Sequence, residues 1–375
     1  MSKTYDVCIR GAGIVGSTLA LHLAANRLRV ALVTQANTAT GHSDVRAYAL
    51  NQTSRTLLES VRCWPDEVSA TAVTSMQIWG DDGGMVRFDA SEQQVDALNW
   101  IVDVPVLEAQ LAQAVKFQPQ IDVVESAQNA PLTVVCEGRA SLTRQEFGVD
   151  FDTIPYDQWA LAARVRCEMP HGKVARQWFV DGEIVALLPL DGPAGNLCAL
   201  VWSVSPNKAP ELQTLSESEF TEQLQTATRN TLGALTLVSE RKIWALQAAQ
   251  ARRWSGQNAQ GAWVLTGDAA HNVHPLAGQG LNLGLGDVAE LSRVLDARPY
   301  WRNVDDTKLL RAYERARKAD YAVVGGSGDS LQKLFTLSVP AAQSLRNLGM
   351  HAFERSGPFK QWIARRAMGS KHSRR

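Results

Sequence analysis

The run Tyr5-Asp6-Val7-Cys8-Ile9-Arg10, followed by Gly11-Ala12-Gly13-Ile14-Val15-Gly16, carries the first decision about this chain. Tyr5 to Arg10 reads as a short buried strand, Ser17 to Asn26 as an apolar helix, and Val30 to Thr34 as a second strand. That is a βαβ unit within about 30 residues, the setting in which a G-x-G-x-x-G pattern has structural meaning. Gly11 permits the tight turn out of the strand. Gly13, reached through Ala12, lets a pyrophosphate approach the backbone, and Gly16 lets helix and strand pack closely. The helix start then offers N–H groups and a positive dipole end to phosphates. The competing reading is a Gly-rich turn in an ordinary α/β protein. The second strand ends Leu32-Val33-Thr34-Gln35, where an acid for the ribose hydroxyls is expected. Gln35 can hydrogen-bond a hydroxyl, but without the strength of a carboxylate, so a weaker grip on an adenosine is expected.

A second stretch, Trp263-Val264-Leu265-Thr266-Gly267-Asp268-Ala269-Ala270-His271-Asn272-Val273-His274-Pro275-Leu276-Ala277-Gly278-Gln279-Gly280-Leu281-Asn282-Leu283-Gly284-Leu285-Gly286-Asp287, is more informative. An apolar strand delivers Asp268 at its carboxyl end, where ligands bind in open α/β sheets. A glycine-rich loop follows, then a helix from about Leu281, so backbone N–H groups meet a helix start. From Gly267 to Asp287 the stretch resembles the G-D-A-A-H-x-x-x-P-x-x-G-Q-G-x-N-x-G-x-x-D motif of the FAD-dependent aromatic hydroxylases, the class A flavin monooxygenases. The resemblance implies that Asp268 hydrogen-bonds the ribityl chain of FAD. It also implies that the turn at Pro275 and the backbone of Gly278, Gln279, Gly280, Leu281 and Asn282 lie against the isoalloxazine ring.

Further segments narrow the resemblance to the ubiquinone-biosynthesis hydroxylases. Asp44-Val45-Arg46-Ala47-Tyr48-Ala49-Leu50, with Ser54, is similar to that family's D-x-R-A-x-A-L-x-x-x-S, which implies that Arg46 lies near the flavin. By itself, an Arg opening a helix reads as a solvated surface residue. His171-Gly172-Lys173-Val174-Ala175-Arg176-Gln177-Trp178-Phe179, Leu187-Leu188-Pro189-Leu190 and Val201-Trp202-Ser203 resemble its middle strands. Gly357-Pro358-Phe359-Lys360 and Arg365-Arg366-Ala367-Met368-Gly369 resemble its ending. The implied fold is α/β and para-hydroxybenzoate-hydroxylase-like. A discontinuous Rossmann-like FAD-binding domain (residues 1–65, 101–152 and 255–335) carries an inserted mixed or antiparallel β-sheet substrate domain (66–100 and 153–254), and helices follow over 336–375. Gln158 to Glu168, Gln177 to Pro189 and Leu197 to Val204 alternate as strands of that sheet. Trp79, Trp159, Trp178 and Trp202 either line an apolar cavity in it or are ordinary core aromatics.

The implied activity is hydroxylation of a small aromatic molecule, a prenylated phenol, with O2 through a flavin C4a-hydroperoxide. NAD(P)H is the implied reductant. The hard chemistry belongs to the flavin, so no catalytic side chain is required. His271 and His274 stand three apart, but no carboxylate or Cys completes a set and Pro275 interrupts any helix, so no metal site is expected. Three departures stand against the pattern. They are Gln35, the Asp103-Val104-Pro105 that replaces I-V-E-N-R at its polar end, and Glu137 in place of the Asp of A-D-G-x-x-S-x-x-R. Gln118 to Pro131 is also shorter than the family's strands. Two readings stay open: an FAD enzyme with reduced affinity, or a degenerate relative that acts as an accessory subunit of a quinone-biosynthesis complex. A halogenase would carry its own lysine and tryptophan motifs, and in an NAD dehydrogenase the second stretch would have no purpose.

Composition sets the frame around these motifs. Lys plus Arg is 38 and Asp plus Glu is 38, so the balance gives no reason to expect a nucleic-acid partner. The five cysteines are scattered and form no CxxC, which favours a reducing compartment over a disulfide frame. No run reaches the roughly 18 apolar residues of a membrane span, and no signal peptide is read at the start. The expectation is a cytoplasmic protein. The Phe359, Trp362 and Ile363 segment and the basic Arg365, Arg366, Lys371, Arg374 and Arg375 add a peripheral contact with the inner membrane or a partner protein, against the alternative of a solvated tail.

Overall fold

A computed structural model describes residues 4–34, 44–80, 84–193, 195–273 and 278–336, with side chains to Val323. Gln35, His274, Pro275 and the C-terminal segment from 337 lie outside the described residues.

Val7–Arg10, entirely apolar up to Arg10, pairs in parallel with Val30–Val33 on one side and Leu132–Val135 on the other. The helix Ile14–Ala25 makes the crossover and buries nine of its residues. Ile121–Val124 extends this sheet at one edge, and Gly261–Leu265 with its hairpin partner Ser255–Asn258 extends it at the other. The result is a six-stranded sheet, parallel but for that hairpin, drawn from sequence as far apart as Val7 and Leu265. The helices Ile14–Ala25, Val104–Lys116 and Gln279–Asp296 share one core cluster with its strands.

A second sheet of nine strands, mostly antiparallel, is built on Phe151–Cys167, Leu197–Val204, Glu183–Pro189 and Val174–Val180. The alternation that reads as one strand from Gln177 to Pro189 is a hairpin. Asp181 (φ 50) and Gly182 (φ 80) form a two-residue turn between Val180 and Glu183, the positive-φ geometry that matches strand twist. The long strand Phe151–Cys167 shifts register between Pro155 and Trp159, where Pro155 has no N–H to give the ladder. One face packs on the helices Lys208–Thr214 and Glu217–Ala227, and Trp178 and Trp202 are fully buried there. Trp178 and Trp202 are therefore core aromatics, while the half-buried Trp79 stacks on Trp178 at 5.0 Å and the half-buried Trp159 packs against the same cluster. The opposite face, through Ala175, Leu188 and Ala199, meets a three-stranded sheet of Ala47–Leu50, Asn99–Asp103 and Ala70–Val73. That small sheet packs on both large ones. No helix of the described residues is long and apolar enough to cross a membrane.

Candidate functional site

Three strand ends meet at the carboxyl edge of the parallel sheet. Gly11 leaves its strand with φ 114, and a Cβ there would fall 2.5 Å from Cys136 O. A Cβ on Gly16 would lie 1.9 Å from Gly11 O, so helix and strand are in backbone contact. A Cβ on Gly13 would meet nothing within 4 Å, although Gly13 starts the helix and its neighbour Ala12 accepts from Ser17 Oγ at 3.0 Å. Two of the glycines are required by packing. The third is left facing open space at a helix N-terminus, which is what an incoming phosphate needs. Cys136 N–H donates to Arg10 O, and Thr266 N–H to Val135 O, so all three exits are tied at one level.

Asp268 follows in the 3-10 turn Gly267–Ala269. Asp268 is exposed to solvent, yet enough protein surrounds its carboxylate to oppose the charge. That enclosure raises its pKa, against the opposing pull of His271, Arg139, a hydrogen bond from Asn272, and Arg46. Gly278 stands at the start of the helix Gln279–Asp296 in the left-handed region (φ 60), and its Cβ would touch Ala49 Cβ at 3.0 Å. Gly280 has open space where a Cβ would project. Leu281 packs on the large core, and Gln279 is partly buried. The two motifs touch through Val15: its Cγ2 would be 2.9 Å from a Cβ on Gly284 and 3.3 Å from one on Gly267.

Asn282 is spent on structure. Its Nδ2 donates to Ala49 O (2.8 Å) and Gly278 O (3.2 Å), while Oδ1 accepts from Asn51 N–H (2.9 Å) and Ser54 Oγ (2.7 Å). These bonds fasten the Ala49-to-Ser54 segment to the second motif. Arg46 does not open a helix. It precedes the strand Ala47–Leu50, and the helix starts after Asn51, whose side chain caps Ser54 N–H. The exposed Arg46 guanidinium pairs with Asp44 (Nε to Oδ1 2.9 Å) and reaches Tyr48 OH at 3.5 Å. That hydrogen bond to Asp44 raises the pKa of Arg46, and burial raises that of Tyr48, with Asp268 adding to it.

Behind Asp268 lies a buried network that the motif reading did not single out. Asp287 accepts from Gly267 N–H (2.8 Å), His271 Nε2 (2.7 Å) and Arg317 Nε (2.7 Å). Burial opposes the charge on Asp287, but His271 and Arg317 outweigh it and its pKa is lowered. His271 also packs on Trp254 at 4.7 Å, and Tyr313 OH donates to Leu265 O. His271 is therefore a bracing group for the Asp268 turn. A local signal existed for part of this: Asp287 interrupts an otherwise apolar helix face between Leu283, Leu285, Val288 and Leu291. Arg317, thirty residues further on, had none.

The departures acquire roles. Glu137, one methylene longer than Asp, accepts from Ser141 Oγ (2.7 Å), Thr143 Oγ1 (2.6 Å) and Thr143 N–H (3.1 Å), with Arg10 Nε at 3.2 Å. Burial would raise its pKa, but these hydrogen bonds and Arg10 lower it. Pro105 sits in the first turn of the helix Val104–Lys116, where its missing N–H costs nothing. Asp103 pairs with Arg164.

Residues 114–324 match the model of an FAD binding domain family, and residues 6–129 that of FAD dependent oxidoreductases. The 3-demethoxyubiquinol 3-hydroxylase of Escherichia coli is 30% identical over 97% of this chain and 98% of its own length. The chain belongs to the ubiquinone-biosynthesis hydroxylase family. It is an FAD-dependent monooxygenase, an aromatic hydroxylase. The ubiquinone hydroxylase UbiL of Rhodospirillum rubrum is 29% identical over 98% of this chain and 90% of its own. The same fold occurs in the p-nitrophenol 4-monooxygenase of Pseudomonas putida (TM-score 0.76, 17% identity, 99% of this chain and 100% of that one). It also occurs in the probable FAD-dependent monooxygenase pqsL of Pseudomonas aeruginosa (TM-score 0.74, 20% identity, 93% and 100%). The described residues fit the family's cofactor: Gly13 and Gly280 leave backbone open to a ligand, and Asp268 is exposed to solvent.

Proposed function

We propose that the chain hydroxylates an electron-rich aromatic ring, a prenylated phenol intermediate of ubiquinone biosynthesis, with O2 and with reducing equivalents from NAD(P)H. The observation that carries this reading is the open space at Gly13 and Gly280, each at a helix start, together with the exposed Asp268 that follows the strand Gly261–Leu265. The names of the relatives from Escherichia coli and Rhodospirillum rubrum support the substrate class. In this reading Gly11, Ala12, Gly13 and Gly16 form the pyrophosphate turn. Gln35 serves the ribose, Asp268 the ribityl chain, and Arg46, Pro275 and the backbone of Gly278, Gln279, Gly280, Leu281 and Asn282 surround the ring system. Bound FAD supplies the activation of O2, and no side-chain nucleophile is needed. The protein's own part is to orient the ring and to exclude water. The division into a discontinuous FAD domain and an inserted substrate domain is part of the same proposal.

The test is the visible spectrum of the purified protein and its titration with FAD. Flavin bands that Asp268→Ala removes, followed by hydroxylation of a prenylated phenol, support the reading. A colourless protein that takes up no FAD sinks it and leaves the accessory-subunit reading. Peripheral membrane contact through the tail predicts that deleting residues 355–375 reduces co-sedimentation with vesicles, and unchanged partitioning removes that part alone.

A further inference from the structure

Arg164 stands on the long strand Phe151–Cys167 of the nine-stranded sheet, and its guanidinium crosses to the three-stranded sheet. Nη1 and Nη2 donate to Asp103 Oδ2 (2.9 Å) and Oδ1 (2.8 Å), a bidentate pair, and Nη2 also reaches Asp44 O at 3.3 Å. Both side chains are largely withdrawn from solvent (18% and 20% exposed), where a fork-to-carboxylate pair is geometrically specific. Asp103 is the N-cap of the helix Val104–Lys116, a position at which Asp ordinarily caps a backbone N–H. Here it makes no capping bond, because its carboxylate is committed to Arg164. A favoured local interaction is given up for a contact 61 residues away in sequence.

What that contact holds is Arg46. Asp44, whose carbonyl Arg164 grips, gives its carboxylate to the Arg46 N–H (3.0 Å) and guanidinium. The Arg46 carbonyl accepts from Val104 N–H (3.4 Å), the residue after Asp103, and Ala47 pairs with Asp103 in register. Arg46 is thus fixed on both sides by groups that Arg164 ties together. We propose that Arg164 is a positioning residue for Arg46, transmitting the placement of the nine-stranded sheet to the Arg46 guanidinium through Asp103 and Asp44. The proposal rests on the reading above that Arg46 lies at the flavin.

The test compares Arg46→Ala, Arg164→Ala, Arg164→Lys and the double variant Arg46→Ala/Arg164→Ala. For each, the FAD dissociation constant, the visible absorption and circular dichroism of bound flavin at saturating FAD, and the melting temperature are measured. Arg46→Ala is expected to perturb the flavin spectrum and weaken FAD by about tenfold. Arg164→Ala should reproduce the spectral change, and adding it to Arg46→Ala should change FAD binding no further, the signature of residues acting in series. Arg164→Lys keeps the charge but loses the fork, and falls between. A melting-temperature loss in Arg164→Ala with an unaltered flavin spectrum overturns the proposal and leaves the site reading standing, as do additive effects in the double variant. A silent Arg46→Ala overturns the site reading and the proposal with it. Should Arg164→Ala not fold, Asp103→Asn replaces it with the same expectations.

Discussion

At the scale of single residues, the glycines divide by what a methyl group would meet, and the division is testable. Gly16→Ala places a carbon against Gly11 O, so the backbone must shift. We expect a loss of about 1–3 kcal/mol in a denaturation midpoint together with lost FAD binding. Gly280→Ala meets nothing within 4 Å and lies in the first turn of a helix. It should stabilise the FAD-free protein by about 0.5–1 kcal/mol while weakening FAD in a titration, because the proposed site gives that space to the ligand. An affinity unchanged by Gly280→Ala would remove that position from the site. Asp287 makes a pH prediction. Its native pKa is lowered, so its stabilising contribution is full above the unfolded value of about 3.9 and disappears as pH falls from there through the lower native value. Asp287→Asn leaves the Arg317 guanidinium buried, with Asp320 as its remaining carboxylate partner. It should cost about 3 kcal/mol at neutral pH and flatten the acid limb of an unfolding profile. An acid limb with its wild-type slope would contradict this.

At the scale of elements, Asn282 fastens the helix Gln279–Asp296 to the strand Ala47–Leu50 and to the start of the helix Gln52–Ser60. Asn282→Ala strands Ser54 Oγ, Asn51 N–H and Ala49 O, and should lower stability by about 2–4 kcal/mol in urea unfolding. A change below about 0.5 kcal/mol would mean that water replaces the amide. Most elements were legible from their patterns. The βαβ opening is read from its glycines and apolar runs, and the antiparallel strands from alternation. The hairpin at Asp181-Gly182 was not, because alternation continues in phase across a two-residue turn. Arg46 was misplaced at a helix start because Ala47 to Leu50 is short and alanine-rich. Its strand exists through pairing with Asn99–Asp103, a partner that local propensity does not include.

At the scale of the whole molecule, FAD should act as a stabilising ligand. At a concentration a hundred times its dissociation constant it contributes about 2.7 kcal/mol, so the melting temperature of protein stripped of FAD should rise on adding it back. No rise would favour the accessory-subunit reading. The nine-stranded sheet meets the three-stranded one through Ala175, Leu188 and Ala199 and through the Arg164–Asp103 pair, and it meets the six-stranded sheet directly where Phe151 and Ala251 pack with Val135, Trp263 and Leu265.

The sequence by itself determined the dinucleotide-type opening, the Asp268-to-Asp287 segment, the family and its cofactor. Those features are written locally, in the spacing of the glycines and in the apolar runs beside them. Only the tertiary structure decided that Asn282 and His271 brace the site, that Trp178 and Trp202 are core with Trp79 and Trp159 packed against them, and that Arg164 and Asp103 meet. Those partners lie 61 residues apart for Arg164 and Asp103 and 228 for Ser54 and Asn282. The physical reason is that a buried charge or amide is stabilised by whichever group the fold brings within about 3 Å, and that choice leaves no periodic trace in the chain.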